Sequence, residues 1–256
     1  MSDIGDLFFY VIGGFFLGIF LFVKGFMWFR QKQLMENMPT SKIRSLAMGL
    51  AEVFGEVVPA EGKILKSPLS ARDCVYYRYT IEEYRQSGKS SHWATIRKGE
   101  DGTHFFLKDE TGLVLVDPKG AKVDIPRDFL FESHMGKDPP DTVRQFLKAN
   151  NLSFEGWLFG INKKMRYSEY FIAPKDKLYI MGTASDNPFV EDATAKQGIE
   201  DIMITKGEHE KFYYISDKSE REILGSLRLK AMGGIFGGAL LAVGCLALIL
   251  LYIGVL

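Results

Sequence analysis

Apolar positions along the chain gather into two long runs at its ends and into short, alternating groups between them. Leu7 to Val23 carries no charge, and the run extends to Phe29 with Lys24 as its one interruption. Ala231 to Leu256 is uncharged throughout. A helix that crosses hydrocarbon needs about 20 mainly apolar residues, because only a closed helix pairs every backbone amide internally. Both runs reach that length and predict transmembrane helices over 7–29 and 231–256, the second tilting or starting near Ile235. Lys24 can carry its ammonium toward the headgroups while Trp28 sits at the interface. A cleaved signal peptide is disfavoured, since the tail Met1 to Asp6 is acidic where a basic segment is expected.

Between the runs the period changes. Thr40 can cap a short helix whose Ile43, Leu46, Ala47 and Leu50 share one face, ended by Gly49. From Val53 onward the spacing becomes two. The clearest strand is CVYYRYTIEEY, with Val75, Tyr77, Tyr79 and Ile81 on one face and Tyr76, Arg78, Thr80 and Glu82 on the other. Its partner begins at His92-Trp93, after the polar turn QSGKSS. HFFLKD, LVLVD and AKVDI then predict a meander with turns at Glu110-Thr111-Gly112 and Asp117-Pro118-Lys119-Gly120. Pro139, Pro140 and Asp141 open the helix DTVRQFLKAN, which subdivides the region near 139–150. RYSEYFIAP and KLYIMGTA flank the turn Lys175-Asp176-Lys177 as a hairpin, and IMITKG with KFYYIS makes a second pair. Ser185 to Gly198 reads as an irregular loop. Asp217 with Glu220 has capping-box spacing for an amphipathic connecting helix over 217–230. The expected fold is a membrane protein with two transmembrane α-helices and, over 39–216, a β-rich α+β soluble domain, barrel or sandwich-like.

Charge changes the picture in two ways. The 32 Lys and Arg balance 32 Asp and Glu, nearly all of them in the middle, which argues against a nucleic-acid binder. The basic residues also flank the membrane runs on one side: Lys24, Arg30, Lys32, Lys42 and Arg44 after the first, Lys211, Lys218, Arg221, Arg228 and Lys230 before the second. In a prokaryotic plasma membrane this places the middle region in the cytoplasm and both short termini outside. The lone Cys74 fits a reducing side, and the sequon Asn151-Leu152-Ser153 would matter only on the other. Gly14/Gly18, Gly233/Gly237 and Gly234/Gly238 allow close helix contact, within one chain or between copies as a homo-oligomer.

PTSKIRSL, SPLSARDCVYYRYTIEEY, FFLKDETGLVLVDPKGAKVDI and YSEYFIAPKDKLYIMGTA resemble the GIDE domain, also called BAM for "beside a membrane". It occurs in mitochondrial membrane-anchored RING ubiquitin ligases and in prokaryotic proteins. The likeness spans about 39 to 205 and implies a membrane-flanked β-rich domain. In the ligases a RING follows the second helix, and in the mitochondrial members the domain lies in the intermembrane space. A RING needs about eight Cys or His ligands for two Zn²⁺. This chain ends at Leu256 and offers only Cys74, His92, His104, His134 and His209 outside the membrane runs, with no C-x-x-C. On these residues, ligase activity is not expected to carry over.

Other chemistry is weakly signalled. Gly88-Lys89-Ser90 joins two strands rather than a strand and a helix, so it reads as a hairpin tip and not a phosphate loop. No G-x-S-x-G or H-E-x-x-H occurs. His92 and His104 could meet across neighbouring strands, and Asp109, Glu110, Asp117, Asp124 and Asp128 could gather a cation, though Asp at turns explains most of them. Cys74 reads as a packing residue. No catalytic, cofactor-binding or metal residue is expected, and no cofactor. Tyr76, Tyr77, Tyr79 and Tyr84 mark a sheet face suited to a partner. The expected function is a non-enzymatic membrane scaffold or protein-binding module, anchored in the lipid bilayer and holding a protein partner. The alternatives are a non-RING component of a protein-modification or proteolysis system and, more weakly, a lipid or small-molecule binder.

Overall fold

Among the described residues, thirteen strands and four α-helices arise from this pattern, in two units: Met1–Pro39 with Ser219–Leu256, and Thr40–Lys218. The computed structural model describes residues 2–88, 90–155, 162–189, 201–208 and 212–254. Lys89, His209, Lys211 and residues 190–198 of the expected loop lie outside them. In chain order the elements are α1 (Ser2–Glu36), β1 (Gly49–Pro59), β2 (Leu65–Lys66), β3 (Asp73–Cys74), β4 (Tyr76–Ser87) and β5 (Ser90–Gly102). Then come β6 (Phe105–Lys108), β7 (Leu113–Val116), β8 (Lys122–Asp124), β9 (Phe129–Ser133), α2 (Asp141–Ala149), β10 (Met165–Ile172) and β11 (Lys177–Asp186). The last are β12 (Ile202–Thr205), β13 (Tyr214–Ser216), α3 (Glu220–Met232) and α4 (Gly238–Ile253).

The barrel reading holds. The larger sheet runs β1-β6-β7-β12-β11-β13-β8, and β1 also pairs with β11 from Gly49↔Ala184 to Glu56↔Lys177, so β1, β6, β7, β12 and β11 close into a ring. Closure removes the open edges of a sheet but requires one strand to leave one neighbour and join another. Glu56 marks that corner, facing Lys177 on β11 and Lys108 on β6. A Cβ on Gly55 would lie 2.5 Å from the Lys108 carbonyl oxygen, so the corner needs glycine. Val53, Val57, Phe105, Leu107, Val114, Val116, Ile180 and Ile204 fill the interior with side chains, each 1 % exposed or less.

A second sheet, β5-β4-β10-β9, packs α2 on one face. Leu69, Tyr79, Ile81, Val143, Leu147, Met165 and Tyr167 form this second core. The α2 stripe comes from Val143 and Leu147, four residues apart. The two cores share strands. Val75 and Tyr76 pack in the barrel core while Tyr79 and Ile81 pack under α2, and β10 likewise gives Ile172 to one and Met165 and Tyr167 to the other.

Several local expectations give way to tertiary pairing. No helix follows Thr40: its hydroxyl donates to Glu52 (2.7 Å), and only a 3-10 turn, Ile43–Ser45, forms. Asp109 and Thr111 take the Ile43 and Arg44 amides, the groups that a longer helix would have left without partners. The meander is real for β6 and β7, but β8 pairs in parallel with β13 instead. β10 and β11 are not a hairpin. The Lys175 amide bonds the Val57 carbonyl and the Val57 amide bonds Asp176, turning the chain out of one sheet into the other. β12 and β13 do not pair with each other, because the ten-residue β11 carries both along one edge. Val75 leaves the face of Tyr79 and Ile81 for the barrel core. The β4–β5 hairpin forms as expected, with Gly88 at φ +60° in its turn.

In the other unit, α1 and the stretch Glu220–Ile253 are both long and apolar enough to cross a membrane. The capping box is Ser219 with Glu222, not Asp217 with Glu220: the Ser219 side chain accepts from the Glu222 amide, and the Glu222 carboxylate accepts from the Ser219 amide (3.2 Å). A π-helical turn, Gly233–Gly237, joins α3 to α4. α1 runs against this turn and α4 with backbones nearly touching. A Cβ on Gly18 would lie 2.6 Å from the Ala242 nitrogen, one on Gly25 2.5 Å from that of Ile235, and one on Gly238 2.5 Å from that of Phe22. Of the expected small pairs, Gly234/Gly238 makes this contact, whereas Gly233 and Gly237 have nothing within 4 Å.

Candidate functional site

Strand periodicity turns one face of the second sheet away from α2, and among the described residues no element packs on that face. On β4, Tyr79 and Ile81 point into the core, so Arg78, Thr80, Glu82 and Tyr84 point away from it. The hairpin register sets Trp93 opposite Tyr84, their rings 5.2 Å apart and edge to face. β10 brings Arg166 opposite Glu82, and its guanidinium lies 4.0 Å from the Trp93 ring centroid. The Arg166 Nε donates to Glu132 on β9 (2.8 Å), with Glu82 at 3.8 Å, so the stacked cation is held in place from two sides. The Lys164 ammonium sits 4.4 Å from the Tyr84 ring and 5.7 Å from that of Trp93. Farther along, Arg78 stacks on Tyr170 at 4.6 Å. Each such contact is worth about 0.5–1 kcal/mol at an exposed site. Their greater consequence is order, because they fix an aromatic surface in the open: Tyr84 is 38 % exposed.

A concavity of about 310 Å³ forms elsewhere in this unit, lined by Ile125, Pro126, Asp128, Phe171, Asp176, Lys177, Leu178 and Asp217. Burial pushes the Asp176 carboxyl above its ordinary value, and the nearby charges of Asp128 and Asp217 add to that push. Burial also raises Asp217.

A family model described as GIDE, E3 ubiquitin ligase, matches residues 76–251. The chain belongs to the GIDE family. No curated protein and no solved structure matches it. The matched stretch of this GIDE protein begins with β4, takes in the second sheet and most of the barrel, and ends within α4.

The resemblance blocks meet at a buried carboxylate. Glu169, in the block YSEYFIAP, is wholly buried and accepts from the Leu69 amide (2.7 Å), the Ser70 amide (3.0 Å) and the Ser70 hydroxyl (2.5 Å), all in SPLSARDC. Thr142 on α2 donates to the Leu69 carbonyl. These bonds tie the loop before β3 to the second sheet and its helix, a structural role that no local pattern signals.

The sequence candidates for chemistry lie apart. His92 faces Arg85 near the hairpin tip, whereas His104 follows the far end of β5 beside Asp117 (3.8 Å) and the Phe189 ring, so the two do not meet. Asp109 caps its own turn: burial alone would raise its carboxyl, but the Ile43, Thr111 and Gly112 amides and the Thr111 hydroxyl hold it below the usual range. Glu110 pairs with Lys42, Asp117 accepts from the Lys119 amide, Asp124 binds Tyr214 and Lys218, and Asp128 accepts from the Phe171 amide. Among the described residues, no group of three or more His, Cys, Asp or Glu could hold a metal. Cys74 is buried and burial pushes its thiol up to about 12, far from a reactive thiolate. The four tyrosines separate: Tyr76 and Tyr79 are buried, Tyr77 is half-buried against the second core, and Tyr84 alone is exposed. Trp93 could have been found from the hairpin register. Lys164 and Arg166 could not, since their place beside Tyr84 depends on the β4–β10 pairing across some eighty residues of chain, which no local spacing encodes.

Proposed function

We propose that this GIDE protein is a membrane-anchored, non-enzymatic docking module that holds a partner protein on the free face of its second sheet. The observation that carries the reading is the Trp93, Tyr84, Lys164 and Arg166 cluster, because Trp, Tyr and Arg dominate binding energy at protein interfaces and here stand pre-ordered, Tyr84 and Lys164 exposed and Trp93 and Arg166 half-buried beside them. The basic flanks of both apolar helices favour a cytoplasmic domain. The test is quantitative co-purification of full-length wild type against Trp93→Ala and Arg166→Ala, after cross-linking in the native membrane. A partner retained by wild type and reduced at least tenfold by either variant, at unchanged thermal stability, supports the proposal. An identical set of proteins on all three chains overturns it.

The family's description favours a second reading, in which the partner belongs to a protein-modification or proteolysis system and this chain is its non-RING component. Reconstitution with conjugating enzymes tests that reading. Substrate modification by this chain alone overturns the non-enzymatic assignment.

A further inference from the structure

β5 is the outer strand of the second sheet, pairing with β4 along one edge, and among the described residues no strand occupies its other edge. A 13-residue open edge is a template for another strand, and natural sheets usually blunt such edges with charge. Here the order of the charges does the reverse. A bulge at Ile96 breaks the ladder between Ile81↔Arg97 and Glu82↔Thr95, leaving Arg97–Gly102 as the straight segment. Its side chains Arg97, Lys98, Glu100 and Asp101 are exposed, and among the described residues none of the four forms an ion pair. Arg97 donates to Asn150 and Glu100 accepts from Tyr76, both neutral partners, and Arg78 stands opposite Glu100 on β4 without forming an ion pair with it.

Two copies of one strand that pair antiparallel about a two-fold axis must oppose one residue to itself. Centring on Arg97, Lys98, Glu100 or Asp101 sets like charges face to face. Centring on Gly99 sets Arg97 opposite Asp101 and Lys98 opposite Glu100, twice each, with opposing side chains on the same face and Cβ atoms about 4.5–5.5 Å apart. We propose that β5 is a self-association edge, on which a second copy of this chain pairs antiparallel about Gly99 to join two four-stranded sheets into one. This inference stands apart from the docking face, whose Trp93 and Arg166 it does not use.

The full-length protein in detergent or nanodiscs provides the test, with mass read by light scattering. Wild type is expected to be a dimer, Arg97→Glu/Lys98→Glu to dissociate at least tenfold more readily, and the fourfold inversion Arg97→Glu/Lys98→Glu/Glu100→Lys/Asp101→Arg to recover the dimer, since it restores complementarity with every sign reversed. Mixed Lys98→Cys and Glu100→Cys chains should oxidise to a heterodimer faster than either forms its own homodimer. A monomeric wild type, a dimer indifferent to the double inversion, or a fourfold variant no better than the double overturns the proposal. Indifference to the inversion would place any dimer elsewhere, the transmembrane glycines included.

Discussion

Glu169 shows how far a single buried carboxylate can organise this domain. Its two oxygens accept from Leu69 and Ser70, and removing them strands one buried and one part-buried amide as well as opening a cavity. Glu169→Ala should destabilise by about 3 kcal/mol, seen as a fall of roughly 6–12 °C in thermal midpoint. Glu169→Gln, which keeps one acceptor, should lose less. Two other carboxylates should respond to pH in opposite senses. Asp109 is held below its unfolded value, so its stabilisation is present above the ordinary carboxylate range near ~3.9 and fades as pH falls through the depressed folded value. Asp109→Ala should therefore be destabilised at neutral pH by about 1–2 kcal/mol and match wild type in strong acid. Asp176 is held above its unfolded value, so its favourable contribution exists at low pH and is lost as pH rises through the raised folded value. Asp176→Asn keeps an acceptor for the Ala173 amide and should gain stability at neutral pH, by less than about 1 kcal/mol given partial exposure, and none in acid. Thermal unfolding across a pH series checks both slopes.

Between elements, the helix pair offers a matched comparison. Gly25→Ala would drive a methyl group onto the backbone at Gly234 and Ile235, whereas Gly233→Ala meets nothing within 4 Å. The first should separate α1 from the π-helical turn Gly233–Gly237 and lower the thermal midpoint by several degrees, roughly the cost of overpacking by one carbon, about 1–3 kcal/mol, and the second should be silent. A disulfide placed across the helix pair reads the difference directly. What the sequence discloses at this scale follows from range. The terminal apolar runs, the β4–β5 hairpin and α2 are legible because period, turn chemistry and capping are local. The pairing of β10 with β4 and of β11 with β1 is not, since Lys175, at φ 75°, reads as a hairpin turn until the Val57 backbone is known to claim it. The face of the candidate site inherits the same division: Tyr84 and Trp93 are visible in the hairpin, while their cations arrive from a strand whose neighbour only the whole fold selects.

For the molecule as a whole, anchoring and orientation carry the remaining expectation. Two helices with the length and apolarity to span a bilayer should keep the intact chain in the pellet after alkaline carbonate washing, and release into the supernatant would refute the anchor. Protease added to sealed cells should spare residues 40–218, and digestion there would reverse the charge-based orientation.

The ring of strands has a temporal consequence. β1 emerges early and finds its longest partner, β11, only after more than a hundred further residues have been made. At a synthesis rate of about 5–20 residues per second, the hydrophobic strand Gly49–Pro59 waits for roughly ten seconds without that partner. During that interval it is a natural client for a chaperone at the ribosome exit, and pausing translation before β11 should prolong that attachment.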